Sequence, residues 1–83
     1  MPELFRFFGF VFFFYSREHE PIHVHVEGNG GDAKFTLDEQ SGQFVLKYSY
    51  DIKTNDLKKI QQIIKDNNEI IKKAWSLHFN TDE

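Results

Sequence analysis

The sequence predicts an α+β fold: a four-stranded antiparallel β-meander followed by two C-terminal helices, or one bent helix, packed on one sheet face. Three observations predict it. Apolar side chains recur with a period of two from Phe7 to Tyr50 and with helical period from Leu57 to His78. Turn-forming stretches interrupt the first region at short intervals. The 83 residues suffice for one domain, 1–83, that buries about 60–65% of its unfolded surface, and not for a TIM barrel or a dinucleotide-binding doubly wound sheet.

The first strand is expected over 7–15. Seven of the ten phenylalanines lie between Phe5 and Phe14. On such a strand Phe7, Val11, Phe13 and Tyr15 share one face and Phe8, Phe10, Phe12 and Phe14 the other. A strand apolar on both faces needs cover on both. The turn "SREHEP" leads to a second strand over 22–27, with Ile22, Val24 and Val26 pointing one way and His23, His25 and Glu27 the other. "GNGG", Gly28–Gly31, reads as a hairpin loop rather than a phosphate cradle, because it joins two period-two segments. The third strand covers 32–38, with Ala33, Phe35 and Leu37 on one face. After the turn "EQSG", the fourth covers 43–50, with Phe44, Leu46, Tyr48 and Tyr50 on one face. Closing the hairpins at Glu27–Asp32 and Asp38–Gln43 sets Val26 against Ala33, Val24 against Phe35, Ile22 against Leu37, Leu37 against Phe44 and Phe35 against Leu46. The apolar sets then fall on one side of all three strands, and a one-residue slip would invert one of them.

The helical segment starts near Thr54 or Asn55, both N-cap types, with Asp56 in the first turn. Leu57, Ile60, Ile64, Ile71, Ala74 and His78 form an apolar stripe that Ile63, Ile70 and Trp75 broaden. Unbroken from 55 to 78, the helix would be about 36 Å long, against a radius of gyration of about 12 Å for a domain of this size. A break at Asp66–Asn68 is therefore expected, giving helices over 55–66 and 68–78. They suit the Val24/Phe35/Leu46 face. The other face then carries His23, His25, Glu27, Lys34, Thr36 and Lys47 beside half of the aromatic strand. Exposed phenylalanine next to histidine marks a partner surface, with Phe8, Phe10, Phe12, Phe14, His23 and His25 as its contact residues and a homodimer or a heteromeric partner as its occupant.

The chain has no cysteine, which excludes disulfides and thiolate zinc sites and fits a reducing compartment. A net charge of −3 opposes strong non-specific nucleic-acid binding. The apolar run from Phe5 to Ser16 is shorter than the roughly 20 residues a membrane span needs. It has Glu3 where a signal peptide carries positive charge and no small-residue cleavage site after it. The expectation is a cytoplasmic protein with no membrane association.

Residues 19–26, "HEPIHVHV", hold three of the four histidines. Alternate strand residues lie on one face about 6.5–7 Å apart, so His23 and His25 can converge on one divalent transition metal such as zinc. His19 can fold over the same face from the turn, and Glu27 extends the row. Without thiolates, two or three histidines plus a carboxylate would make an open site. Alternatively the two imidazoles serve as a general acid and base in a metal-free nuclease. Alternatively, they form a polar outer face, with His23 opposite Thr36 and His25 opposite Lys34 or with both against a partner protein. Lys58, Lys65 and Lys72 recur every seven residues. On a continuous helix they make a basic ridge with a spacing of about 10.5 Å, which suits phosphates, or else an ordinary solvated face. Trp75 and His78 read as packing residues.

Met1-Pro2, then Arg6-Phe7-Phe8-Gly9 entering an aromatic strand, then His19-x-Pro21-x-His23-x-His25-Val26, a glycine loop, an acidic turn and a C-terminal helix carrying Trp75 follow in order. Over nearly the whole chain this resembles the small prokaryotic family catalogued as domain of unknown function 4160, whose signature reads His-x-Pro-Pro-His-Phe-His-Val. Ile22 replaces the second proline and Val24 the phenylalanine, both keeping the alternation; Asn67 stands where many members have histidine. The resemblance implies a small bacterial cytosolic protein with His19, His23 and His25 as signature residues. Its gene would neighbour that of a second small protein in a toxin–antitoxin-like pair; some members carry a transcriptional-regulator label. Three readings follow: an interaction module, a metal-dependent hydrolase or small nuclease using His19, His23 and His25, and a nucleic-acid-binding regulator using Lys58, Lys65 and Lys72.

Overall fold

A computed structural model describes residues 3–15 and 21–79. It contains strands β1 (Glu3–Phe7), β2 (Phe10–Phe13), β3 (His23–Gly28), β4 (Gly31–Asp38) and β5 (Gln43–Tyr50), then helices α1 (Thr54–Asp66) and α2 (Asn68–Phe79). The strands form one antiparallel sheet in the order β1-β2-β3-β4-β5. The architecture is the α+β arrangement expected, with five strands rather than four.

The extra strand comes from the aromatic run. Phe8 and Gly9 both have positive φ, 36° and 90°, and turn the chain so that Phe7 pairs with Phe10 and Phe5 with Phe12. Positive φ at both central residues suits a two-residue hairpin, whose twist then matches that of its strands. What reads as one strand over 7–15 is therefore a hairpin. Phe7 consequently lies on the Phe10/Phe12 side, not with Val11 and Phe13.

The β3–β4 register is the one the apolar pattern requires: Val26↔Ala33, Val24↔Phe35 and Glu27↔Asp32. The Leu37 N–H donates to the Ile22 carbonyl at 2.8 Å, extending it. Gly28 and Gly31 close this hairpin. A Cβ on Gly28 would stand 2.3 Å from the Gly9 carbonyl oxygen, and one on Gly31 2.4 Å from that of Asp51. Their task is to admit neighbouring backbone. In β4–β5 the expected pairs Leu37↔Phe44 and Phe35↔Leu46 form, but the register then shifts, so that Lys34 pairs with Tyr48 and Asp32 with Tyr50. The surplus residue is Lys47. A bulge of this kind moves every later side chain to the other face, so Tyr48 and Tyr50 leave the Phe44/Leu46 side, where simple alternation places them.

The helices cover one face of the sheet. Phe10, Phe12, Phe14, Val24, Val26, Ala33 and Phe35 pack with Ile60, Ile64, Ile71 and Trp75 in one buried cluster. α1 has Lys53 as its N-cap, without a side-chain cap bond, rather than Thr54 or Asn55. The expected break falls at Asn67 (φ −111°, ψ 21°), whose side-chain amide donates to the Ile63 carbonyl at 2.8 Å. Next to it, buried Asn68 donates to the Gly42 carbonyl at 3.0 Å and ties the start of α2 to the β4–β5 turn. Ile70 and Leu77 remain exposed on the outer side of α2, so Ile70 does not broaden the buried stripe. No helix among the described residues is long and apolar enough to cross a membrane.

Candidate functional site

The sheet face opposite the helices is built from cross-strand rows. Glu3, Phe13, His25, Lys34 and Tyr48 form one, and Arg6, Val11, Glu27, Asp32 and Tyr50 the next. His23 lies opposite Thr36, and Thr36 opposite Val45. Directly opposed residues have Cβ atoms about 4.5–5.5 Å apart, so each row is a line of side chains in contact range. His23 and His25 therefore project from one side of the sheet, opposite the residues the alternation assigns, and their ring centroids are 5.2 Å apart, edge to face.

They are not exposed, as the polar-face expectation had them: His23 is 6% and His25 7% accessible. Aromatic rings account for much of their surroundings. The His25 ring stacks on Phe13 at 5.5 Å and meets the edge of Tyr15 at 4.5 Å. His23 meets Trp75 of α2 at 5.1 Å. Trp75 in turn packs on Phe14 and Phe79 at 5.1 and 4.2 Å. A continuous chain of rings thus runs from Tyr15 through both imidazoles into the helix-side core. It passes around the end of the short strand β2, whose pairing with β3 runs to Phe13↔His25.

The tautomer of one ring is set by its partner. His23 Nδ1 lies 2.7 Å from the Pro21 carbonyl oxygen. A carbonyl only accepts, so Nδ1 carries the hydrogen, and in the neutral ring Nε2 holds the lone pair. A backbone carbonyl on the other ring nitrogen is how ligating and catalytic histidines are commonly oriented.

The remaining sequence candidates are placed as follows. Among the described residues no group of three or more His, Cys, Asp or Glu side chains is arranged to hold a metal ion. Two imidazoles come together. Glu27 is exposed, opposite Val11 and Asp32, and joins no such group. His19 lies outside the described residues. Phe10, Phe12 and Phe14 are core residues with at most 1% of their surface accessible, which corrects their reading as exposed contact residues: the turn at Phe8–Gly9 directs them under the helices. Phe8 is exposed at the hairpin tip, with the Lys59 ammonium 5.4 Å from its ring centre. The lysine ridge is interrupted. Lys58 and Lys65 stand on α1, whereas Lys72 stands on α2 beyond the break, 3.5 Å from Glu69.

Pattern reading missed Phe13, Tyr15 and Trp75 as neighbours of the histidines. At the sheet edge, Arg6 clamps Glu3 with bonds of 2.6 and 3.0 Å. The hydrogen bond from Arg6 holds the Glu3 carboxyl below its ordinary range.

No curated protein and no solved structure matches the chain. A family model does, over residues 9–76, a span that runs from the β1–β2 turn to just past Trp75 and includes both buried histidines. The chain with this paired-imidazole sheet face is a member of the family described as domain of unknown function (DUF4160).

Proposed function

We propose that this chain is a small protein-interaction module that meets a partner through the sheet face opposite its helices. The partner is a second copy or the product of a neighbouring gene in a toxin–antitoxin-like pair. The observation that carries the reading is the asymmetry of the sheet. One face is sealed by α1 and α2, while the other presents exposed Tyr15, Val45 and Tyr50 around the histidine pair. Tyrosine at such a surface contributes large contact area with a hydrogen-bonding tip, as it does at interface centres. The imidazoles would then act as positioned supports beneath that surface rather than as its outermost groups.

Light scattering tests the reading. The chain alone, at micromolar concentration, or mixed with the neighbouring gene product, is expected to run well above its 9.9 kDa monomer mass. Tyr50→Lys and Tyr15→Lys are expected to return it to monomer. A monomer under both conditions removes the proposal.

A second reading is supported by one feature, the fixed Nδ1–H tautomer of His23 beside His25. It makes the pair an acid–base couple, or two ligands of a divalent metal whose third ligand comes from outside the described residues. Metal analysis of protein purified without a histidine tag, together with nuclease and hydrolase assays of His23→Ala, tests it. No bound first-row metal and no activity sensitive to that substitution eliminates it.

A further inference from the structure

We propose that the regular half of β5, Gln43–Leu46, accepts an extended acidic segment of a partner protein as an added strand, with its apolar side chains entering the groove between β5 and α1. The proposal goes beyond the interaction-module reading, since it adds a second binding surface distinct from the tyrosine face.

β5 is the last strand of the sheet, bonded to β4 along one edge. An edge strand turns alternate N–H and C=O groups away from the sheet, which is a template for strand addition. Pairing with β4 is regular from Asp38↔Gln43 to Phe35↔Leu46 and is broken at Lys47. The bulge and its lysine therefore limit the receptive edge to about four residues. That length suits a docked peptide, and a bulge with a lysine opposes open-ended stacking of sheets.

Beside those same residues lies a groove of about 370 Å³. Buried Phe35 and Ile64, half-buried Phe44 and Leu46, exposed Gln43 and Val45 of the same strand, and Gln61 and Lys65 of α1 line it. On an added strand, the residues facing the helix side recur every 6.5–7 Å or so and fall over this groove. An apolar residue there would meet half-buried Phe44 and Leu46.

Charge decides between occupants. Among the described residues, Lys65 is the one charged residue lining the groove, and no carboxylate lines it. A second copy adding its own β5 about a two-fold axis would bring two Lys65 ammonium groups toward each other without a counter-charge from either groove. A segment carrying aspartate or glutamate beside its apolar residues supplies that counter-charge.

The test is selection of random twelve-residue peptides displayed on phage against the full chain, followed by NMR titration of the isotope-labelled protein with the most enriched peptide. Enriched sequences are expected to alternate apolar residues and to carry a carboxylate, and to shift the amides of Gln43–Leu46 and Lys65. N-methylation of alternate peptide amides is expected to abolish binding, since strand addition uses main-chain hydrogen bonds. Lys65→Glu, an exposed change that leaves the core intact, is expected to weaken binding about fivefold, the upper end for an exposed ion pair. Replacing the peptide carboxylate by lysine should restore it. The proposal is overturned if no peptide is enriched, or if binding is indifferent to N-methylation and to Lys65→Glu. It is also overturned if β5 shifts with protein concentration alone, which would assign the edge to a second copy. Peptides that shift Tyr15 and Tyr50 instead overturn strand addition while leaving the interaction-module reading in place. Peptides that land on β5 in a chain that forms no complex by light scattering do the reverse.

Discussion

Trp75 joins three parts of the molecule, and its truncation should show how much each depends on it. The side chain is 3% exposed and meets Phe14, Phe79 and His23. Removing a buried tryptophan to alanine costs about 3–5 kcal/mol, including edge-to-face aromatic pairs worth about 0.5–1.5 kcal/mol each. A chain of 83 residues has a total stability of about 4–12 kcal/mol, so Trp75→Ala removes about a quarter of it or more. With a urea dependence of about 1 kcal/mol per molar, the low end for small domains, the unfolding midpoint should fall by at least about 3 M. Trp75→Phe keeps an aromatic ring against Phe14 and should lose only about 1–2 kcal/mol. Circular dichroism during urea titration measures both variants. In the folded Trp75→Phe protein, the His23 ring protons should also move, because the indole above them has gone. A Trp75→Ala midpoint within about 0.5 M of the parent would refute the reasoning. It would mean that Ile71 and the Asn68 bond to Gly42 suffice to hold α2 and that the histidine pair does not depend on Trp75.

Three further outcomes can be checked. Gly28→Ala places a Cβ 2.3 Å from the Gly9 carbonyl oxygen and 2.9 Å from the Phe10 Cα; because backbone cannot yield as a side chain can, thermal unfolding should show a loss of at least about 2 kcal/mol, whereas Gly30→Asn, with φ +83° and open space around it, should cost little. Asn68→Ala removes the bond to the Gly42 carbonyl and should cost about 1–2 kcal/mol in chemical denaturation, with faster amide exchange in the β4–β5 turn. Glu3 has a carboxyl held low by Arg6, so its contribution is present above its unfolded-state pKa and is lost as pH falls through the folded value. The pair is exposed, so Glu3→Gln should leave the neutral-pH thermal midpoint unresolved from the parent and slightly flatten its decline in acid.

Much of the fold was legible because the sheet is a meander with one buried face. Val24, Val26, Ala33, Phe35, Phe44 and Leu46 share the core side in the observed register and would not if either hairpin slipped by one residue. The helix break was legible from length and from "KDNNE". The turn at Phe8–Gly9 was not, because phenylalanine rarely adopts positive φ and a run apolar on both faces looks the same whether it is one covered strand or a folded-back pair. The glycine inside the aromatic run was the available signal. Nothing in the alternation of β5 announces the bulge at Lys47, which is a product of fitting two twisted strands together.

For the histidines the division is sharper. Sequence by itself determined that imidazoles 23 and 25 share a side, since the pleat alternates with a fixed period of two and no longer-range information is needed. Whether that side is wet was decided only in three dimensions. Trp75 arrives from 50 residues or more downstream, and Tyr15 and Phe13 from a strand whose pairing depends on a turn the pattern hides. Burial depends on which distant atoms exclude water from a site, and a one-dimensional pattern records periodicity along the chain but not the closeness of residues far apart in it.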